Sequence, residues 1–280
     1  MTDALILAAG ASRRFGAAPK QLAELDGRPL LQHALDAALA VPELRRVVVV
    51  LGAHAEEIAP VLDLGAGTGR VTLDLASVGV TVHALDYDRV LLDALRERAD
   101  AARVGERVVT HEGDARDFAL RAKGEGGGEG EALRFDLILA PMQTVQLLGG
   151  ADGRARLLAS VKRHLTPGGL FAAAIAHHID AFDEDAFVPV PDVREIEGVV
   201  YASRPTAIRE DEDGFVLERL RERVDTDGRR TTSEDRIRLD RLTAAAFEEE
   251  ARRAGFTVEL RATIGETSDH VGSEVAMLRA

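Results

Sequence analysis

The segment Asp63-Leu64-Gly65-Ala66-Gly67-Thr68-Gly69 constrains this chain more than any other stretch. It continues the apolar pair Val61-Leu62 and leads into a helical pattern that runs through Ala76. Glycines at alternate positions let the backbone turn sharply and come close to a ligand. A helix that starts from such a loop presents free N–H groups to whatever lies above it. The next apolar run, Val80 to Leu85, is closed by Asp86, about 20 residues beyond the loop, where a carboxylate can accept hydrogen bonds from both hydroxyls of a ribose. Loop and acid together predict a strand–helix–strand unit that binds an adenosyl ligand. A dinucleotide loop would carry a third glycine or alanine three residues after the second. Arg70 stands there, so the pattern argues against NAD.

The flanking residues repeat the alternation. Val108-Val109-Thr110 reads as a strand, reached through a helix that Asp88 can cap and that runs to about Ala102. Phe135 to Ala140 is a strand, Gly153 to Leu165 a helix and Leu170 to Ala176 a strand. Short apolar runs alternating with helices predict an α/β fold, an open, doubly wound, Rossmann-like parallel sheet. Residues 121–132, centred on Gly124-Glu125-Gly126-Gly127-Gly128, read as a mobile surface loop. After about Phe182 the pattern changes. Glu197–Ile208, Phe215–Val224 and Thr232–Leu239 read as strands separated by Asp213-Gly214 and Asp227-Gly228, pairs suited to hairpin turns. They predict an antiparallel β insert at about 183–240. A helix over Thr243–Ala254, stopped by Gly255, and strands over Phe256–Arg261 and Glu274–Arg279 close the chain.

A smaller pattern precedes all this. Leu5 to Gly10 reads as a strand, Ser12 to Lys20 as a basic loop, Pro29 to Ala40 as a helix and Val47 to Gly52 as a second strand. This predicts an N-terminal βαβ half-domain over residues 1–59, ahead of a main domain over 60–280. Two strands and one helix bury too little to stand alone. The half-domain is therefore expected to pack on the main domain or on another copy.

With 35 basic and 48 acidic residues, the chain has a formal net charge of −13. Such a surface repels phosphate backbones and anionic lipid, which argues against nucleic acid or membrane as a partner. The absence of cysteine removes disulfides and thiolate metal sites, and no metal is expected. No apolar run approaches the ~20 residues of a membrane span, and Met1-Thr2-Asp3-Ala4-Leu5 lacks the basic start of a signal peptide. The expectation is a cytoplasmic protein.

Five motifs in order make residues 61–171 resemble the class I S-adenosylmethionine-dependent methyltransferases. Val61 to Gly69 matches the first motif, Asp86 the ribose-binding acid, and Gly113-Asp114-Ala115-Arg116 the adenine segment. Phe135 to Pro141 matches the fourth motif, and Leu165-Thr166-Pro167-Gly168-Gly169 the turn before the fifth strand. The resemblance implies S-adenosylmethionine as cofactor, held by Asp63, Gly65, Ala66, Gly67, Gly69, Asp86, Tyr87, Asp114, Ala115, Ala140 and Pro141. Asp63 would meet the ammonium of the methionyl part, directly or through water, and Asp114 the adenine amino group.

The stretch from Ala140 to Leu148 resembles the small-molecule branch of that family, which implies a small-molecule acceptor. Gln143 stands where the branch often has Asn, and Leu147 where it often has His. Gln143 and Tyr201 are acceptor-side candidates. His177 and His178, at the carboxyl end of the fifth strand, are candidates for a general base. The insert is expected to shape the acceptor pocket or a homodimer contact. A base is needed only if the acceptor must lose a proton.

Residues 4–59 resemble a different family, the nucleotidyltransferases related to molybdenum-cofactor cytidylyl- and guanylyltransferases. Leu7 to Gly16 with Lys20 resembles their phosphate loop, and Gly27-Arg28-Pro29-Leu30-Leu31 and Val47 to Gly52 continue the match to near Ile58. Without the metal-binding Asp that such enzymes carry further on, this reads as a truncated segment. Two alternatives stay open: a nucleotidyltransferase-like protein that binds CTP or GTP, and a non-catalytic adenosyl-binding protein.

Overall fold

The computed structural model describes residues 2–8, 24–25, 28–29, 44–51, 59–123, 129–176, 179–183, 190–266 and 271–280. The chain divides into two units, residues 1–113 and 114–280. The first begins with β1 (Thr2–Ala8), the two-residue strands β2 (Glu24–Leu25) and β3 (Arg28–Pro29), and β4 (Leu44–Leu51). β1 and β4 run parallel, paired from Asp3–Arg46 to Ala8–Leu51, as a βαβ unit requires. Pro29, expected to open a helix, instead pairs with Glu24 in the β2–β3 ladder; residues 30–43 lie outside the described residues.

Next come β5 (Val61–Leu64), α1 (Arg70–Ser77), β6 (Val82–Asp86), α2 (Arg89–Ala101) and β7 (Val108–Glu112). β5, β6 and β7 are parallel neighbours, with a helix in each crossover. Every residue of β5 is buried, which explains why its sequence, apolar except for Asp63, shows no alternation. Ala84 of β6 packs with Ala66 and with Leu92 and Leu95 of α2, flanked by Leu73 and Val108. Asp88 caps α2 as expected: its carboxylate accepts from the Val90 N–H at 2.8 Å.

In the second unit β8 (Arg121–Lys123) and β9 (Glu129–Ala132) pair antiparallel. The stretch expected as a loop is thus a hairpin stem, held by backbone hydrogen bonds that its side-chain pattern does not announce; residues 124–128 lie outside the described residues. β10 (Phe135–Ala140) is parallel to β11 (Leu165–Ala176), and α3 (Gly150–His164) joins them. The expected turn at 165–169 is a bulge inside β11: Phe135 pairs with Leu165 and Leu137 with Leu170.

β12 (Asp192–Ile196), β13 (Val199–Glu210), β14 (Gly214–Val224) and β15 (Arg230–Asp240) form an antiparallel sheet in that order. This is the expected insert with one extra strand, β12, whose residues are all exposed. The β13–β14 turn rests on Asp211 more than on Asp213-Gly214: its Oδ1 accepts from the N–H of both Asp213 and Gly214, at 3.0 and 2.9 Å. α4 (Ala244–Arg253) starts at Thr243, whose hydroxyl accepts from the Ala246 N–H. The strand expected over 256–261 is reduced to β16 (Thr257–Val258), and β17 (Ala262–Ile264) follows it; both are antiparallel to β18 (Ser273–Arg279), which in turn pairs antiparallel with β11. Among the described residues no helix is long and apolar enough to cross a membrane.

A buried polar network fixes the ends of these elements. Gln146, in the 3-10 turn Thr144–Leu147, is 1% exposed. Its amide pairs with Ala176 as a neighbouring strand would: Ala176 N donates to Oε1 at 2.9 Å and Nε2 donates to Ala176 O at 3.1 Å. Nε2 also donates to Asp240 O at 3.2 Å. The Asp240 carboxylate accepts from Gly150 N at 2.7 Å and from Arg154 at 2.9 Å. Arg154 in turn forks onto Glu250 of α4 with two 2.8 Å bonds. A Gln146→Leu substitution keeps the volume and strands the Ala176 N–H in an apolar setting. With about 1–3 kcal/mol per unsatisfied buried group, urea unfolding should show a loss of roughly 2–4 kcal/mol. A loss under about 0.5 kcal/mol would mean that water replaces the clamp without cost.

Candidate functional site

In the first unit the glycine loop is braced from three sides. Gly65 N and Ala66 N both donate to Leu85 O, at 2.8 and 3.1 Å, so the loop hangs from the end of β6. Gly67 N donates to Asp86 Oδ2 at 2.8 Å, while Asp86 Oδ1 accepts from Asp88 N at 2.9 Å. One buried acid thus sets both the loop and the start of α2. A carboxylate has about four acceptor positions, so about two remain on Asp86 for a ligand. Gly69 has φ +86°, and a Cβ there would stand 2.1 Å from Leu95 Cδ1, so only glycine lets the loop lie on α2. Gly67 has φ +53° and no atom within 4 Å of where a Cβ would be, so the space above it is open. Arg98 of α2 completes the brace, donating to Thr68 O at 2.6 Å and to Thr68 Oγ1 at 2.9 Å. Sequence reading missed Arg98, because nothing in its spacing marks a basic helix residue as a loop anchor.

Asp63 lies beneath this loop and is fully buried. Its Oδ2 accepts from Thr72 Oγ1 at 2.6 Å, a partner one turn into α1 that sequence reading also missed. Its Oδ1 has no hydrogen-bond partner among the described residues. Burial pushes the carboxyl up from 3.8 to about 6, and the charge of Asp86 adds to the rise against the opposing hydrogen bonds from Thr72. Keeping the ionised form buried costs roughly 3 kcal/mol by that shift. An acid so placed favours a bound cation or a strong donor.

The other candidates are distributed as follows. Tyr87 follows Asp86 but is 81% exposed. Asp114 and Ala115 open a turn in which Asp117 N donates to Asp114 O at 2.9 Å. The Arg116 guanidinium beside Asp114 holds its carboxyl below the usual range. Ala140 is fully buried at the end of β10. Pro141 and Gln143 share the turn after β10: Pro141 O accepts from Thr144 Oγ1 at 2.8 Å, and Gln143 O from Gln146 N at 2.8 Å. Tyr201 is 42% exposed on β13, in the antiparallel sheet, opposite Arg194 and Arg223. His177 and His178 lie outside the described residues. Within the first unit the structure therefore brings Asp63, Gly65, Ala66, Gly67, Gly69 and Asp86 together. Among the described residues no group of three or more His, Asp or Glu is placed to hold a metal ion.

The raised pKa of Asp63 gives a stability signature. A folded-state value near 6 against 3.8 means the folded protein binds the proton more tightly than the unfolded chain does. This contribution to stability is present in full below pH ~4 and is lost as pH rises through 6. Between pH 7.5 and 5 the wild type should gain roughly 1.4 kcal/mol on Asp63→Asn, which cannot titrate there. Urea unfolding of both proteins across that range measures it, and a gap that stays constant with pH would refute the assignment.

Comparison with known proteins gives two family matches. Residues 62–171 match the methyltransferase domain, and residues 4–115 match the MobA-like NTP transferase domain. The second match runs on past Ile58, where the motif-by-motif resemblance ends; residues 62–115 carry the strand–helix–strand alternation common to α/β folds. The chain is 34% identical over 109 residues to the cypemycin N-terminal methyltransferase of a Streptomyces species, covering 39% of this chain and 38% of that protein. It is 44% identical over 55 residues to the 2-C-methyl-D-erythritol 4-phosphate cytidylyltransferase of Chlamydia felis, covering 19% of this chain and 26% of that protein. The chain thus spans well under half the length of these curated relatives. Among solved structures, Streptomyces venezuelae DesVI superposes with a TM-score of 0.57 at 20% identity, covering 80% of this chain and 85% of that one. The glycopeptide N-methyltransferase MtfA complexed with S-adenosyl-L-homocysteine does so with a TM-score of 0.52 at 25% identity, covering 81% and 85%. The fold is the Rossmann-like mixed sheet of the methyltransferases, with residues 62–171 matching the methyltransferase domain behind an N-terminal segment that matches the nucleotidyltransferases.

Proposed function

We propose that this chain transfers a methyl group from S-adenosylmethionine to an amine nitrogen of a small-molecule acceptor. The observation that carries the reading is Asp63, fully buried under an open glycine loop with one carboxylate oxygen unpartnered among the described residues. Such an oxygen fits the ammonium of a methionyl group. Asp86 keeps acceptor positions for ribose hydroxyls, and Gly67 leaves room for a ligand to approach the backbone. Asp114 is the acceptor for the adenine amino group. Bound, S-adenosylmethionine supplies a methyl on a sulfonium with a good leaving group. The protein's contribution is then to hold donor and acceptor in line, where orientation supplies most of the acceleration.

An amine is favoured because the cypemycin and glycopeptide relatives are both named for methylation at nitrogen or an N-terminus. A net charge of −13 also attracts a cationic acceptor. An ammonium must shed a proton before it attacks, and His177 and His178 are the candidates to take it. We assign catalysis to residues 60–280, the acceptor side to Gln143, Tyr201 and the insert at about 183–240, and a supporting role to residues 1–59. The remaining assignments are a cytoplasmic enzyme without nucleic-acid or membrane partners, pairing with a second copy through the insert. The family match over residues 4–115 favours a second reading, a protein that binds CTP or GTP.

Calorimetry with S-adenosylhomocysteine, NAD, and magnesium CTP and GTP separates these. S-adenosylhomocysteine should bind in the micromolar range and NAD not at all. Because only ionised Asp63 meets the ammonium, affinity should fall about tenfold from pH 8 to pH 5, and Asp63→Asn should flatten that slope. Saturable NAD binding would sink the assignment. Robust pyrophosphate release from either nucleotide would move it to the second reading.

A further inference from the structure

Asp114 is held by its own neighbour in an unusually complete way. Arg116 N donates to Oδ1 at 2.8 Å. Arg116 Nε lies 3.0 and 2.9 Å from Oδ1 and Oδ2, and Nη2 donates to Oδ2 at 2.7 Å. The guanidinium therefore grips both carboxylate oxygens, Nε shared between them and Nη2 on Oδ2, while the backbone N–H holds Oδ1. With three donors on a carboxylate that offers about four acceptor positions, about one remains. The root of the fork is anchored: Arg116 O accepts from Ser160 Oγ of α3 at 3.3 Å, and that hydroxyl also accepts from Arg163 Nη2 at 2.9 Å. Both side chains are a little over 40% exposed (43% and 41%), so the open position can be reached from outside.

We propose that Arg116 is a positioning residue that presents Asp114 to the purine with a single acceptor place open, so that a 6-amino group is taken and a 6-oxo group is refused. The inference rests on the S-adenosylmethionine reading above. An amino group donates into the open place. An oxo group offers no donor and sets its own lone pairs against a fixed anion. Sites built to pair one polar group reject the analogue that lacks it, because a desolvated group is then left unpaired. Without the fork, the carboxylate rotates and takes up a proton more readily, and a protonated acid can donate to an oxo group. Arg116 therefore acts on selectivity more than on affinity.

The test is calorimetry with S-adenosylhomocysteine and its hypoxanthine analogue, S-inosylhomocysteine, on the full chain. The wild type should prefer the adenine ligand by at least about 100-fold. Arg116→Met should cut that preference at least tenfold, with Arg116→Lys between the two because an ammonium donates without the fork. Equal preference in wild type and Arg116→Met, within twofold, would overturn the proposal. So would a wild type that binds both ligands alike. A wild type that binds neither removes the methyltransferase reading and this inference with it. Should Arg116→Met fail to fold by its melting curve, Ser160→Ala loosens the anchor alone and should lower the preference in the same direction; an unchanged ratio there would also count against the proposal.

Discussion

The hydrogen bond from Gly67 N to Asp86 Oδ2 is the contact on which the rest of the ligand-facing edge depends. Glycine gives the loop its left-handed turn but no reason to stay in it. The acid supplies that reason, because a charged acceptor on a backbone N–H is among the stronger hydrogen bonds a protein makes. Since the other oxygen of Asp86 holds Asp88 N, and Asp88 caps α2, the loop, the strand end and the following helix share one fixed point. Arg98 returns from the far end of α2 to grip Thr68 and closes the circuit. A ligand reaching this edge finds donors and acceptors already in place, with little ordering left to cost affinity.

Much of this was legible in the sequence, and the limits are informative. The alternation of apolar runs and helices, the loop and Asp86 were readable because each rests on a pattern local in the chain. The meander was readable from its turns, although β12 was not, since a charged strand paired only by its backbone leaves no periodic mark. The β8–β9 stem was hidden for the same reason: Gly-rich, polar residues look like a loop whether or not their backbones pair. Thr72, Arg98, Arg116 and Gln146 were missed because their roles are set by partners that folding brings near. Gln146 left one trace, a long polar residue inside the apolar run Val145 to Leu148, and a buried amide there must find partners.

The second unit solves a different problem. One edge of it gathers the end of β11, the end of β15 and the start of α3, whose free backbone groups would be costly if left buried and unpaired. Gln146, Asp240 and Arg154 satisfy them with side chains, so the antiparallel sheet is rooted on the same residues that end β11. A root built from buried, mutually satisfied polar groups has one good arrangement and few near-equal ones. That favours a sheet held in one position over a hinged one.

Charge bears on which ligand the loop at 65–69 can take, in the stretch 62–115 where the two family matches overlap. A nucleotidyltransferase loop cradles a triphosphate and surrounds it with positive charge. The loop at 65–69 does the reverse. A buried carboxylate lies beneath it and a second braces it, and the two are close enough that Asp86 raises the proton affinity of Asp63. Arg98, which reaches the loop from α2, donates to Thr68. A phosphate placed there would meet two acids in a poorly solvated setting, where like charges repel strongly. A ligand with an ammonium and a sulfonium meets the same acids with attraction, and relieves the cost of keeping Asp63 ionised. The strand–helix–strand frame suits either family; the acids favour the methyl donor.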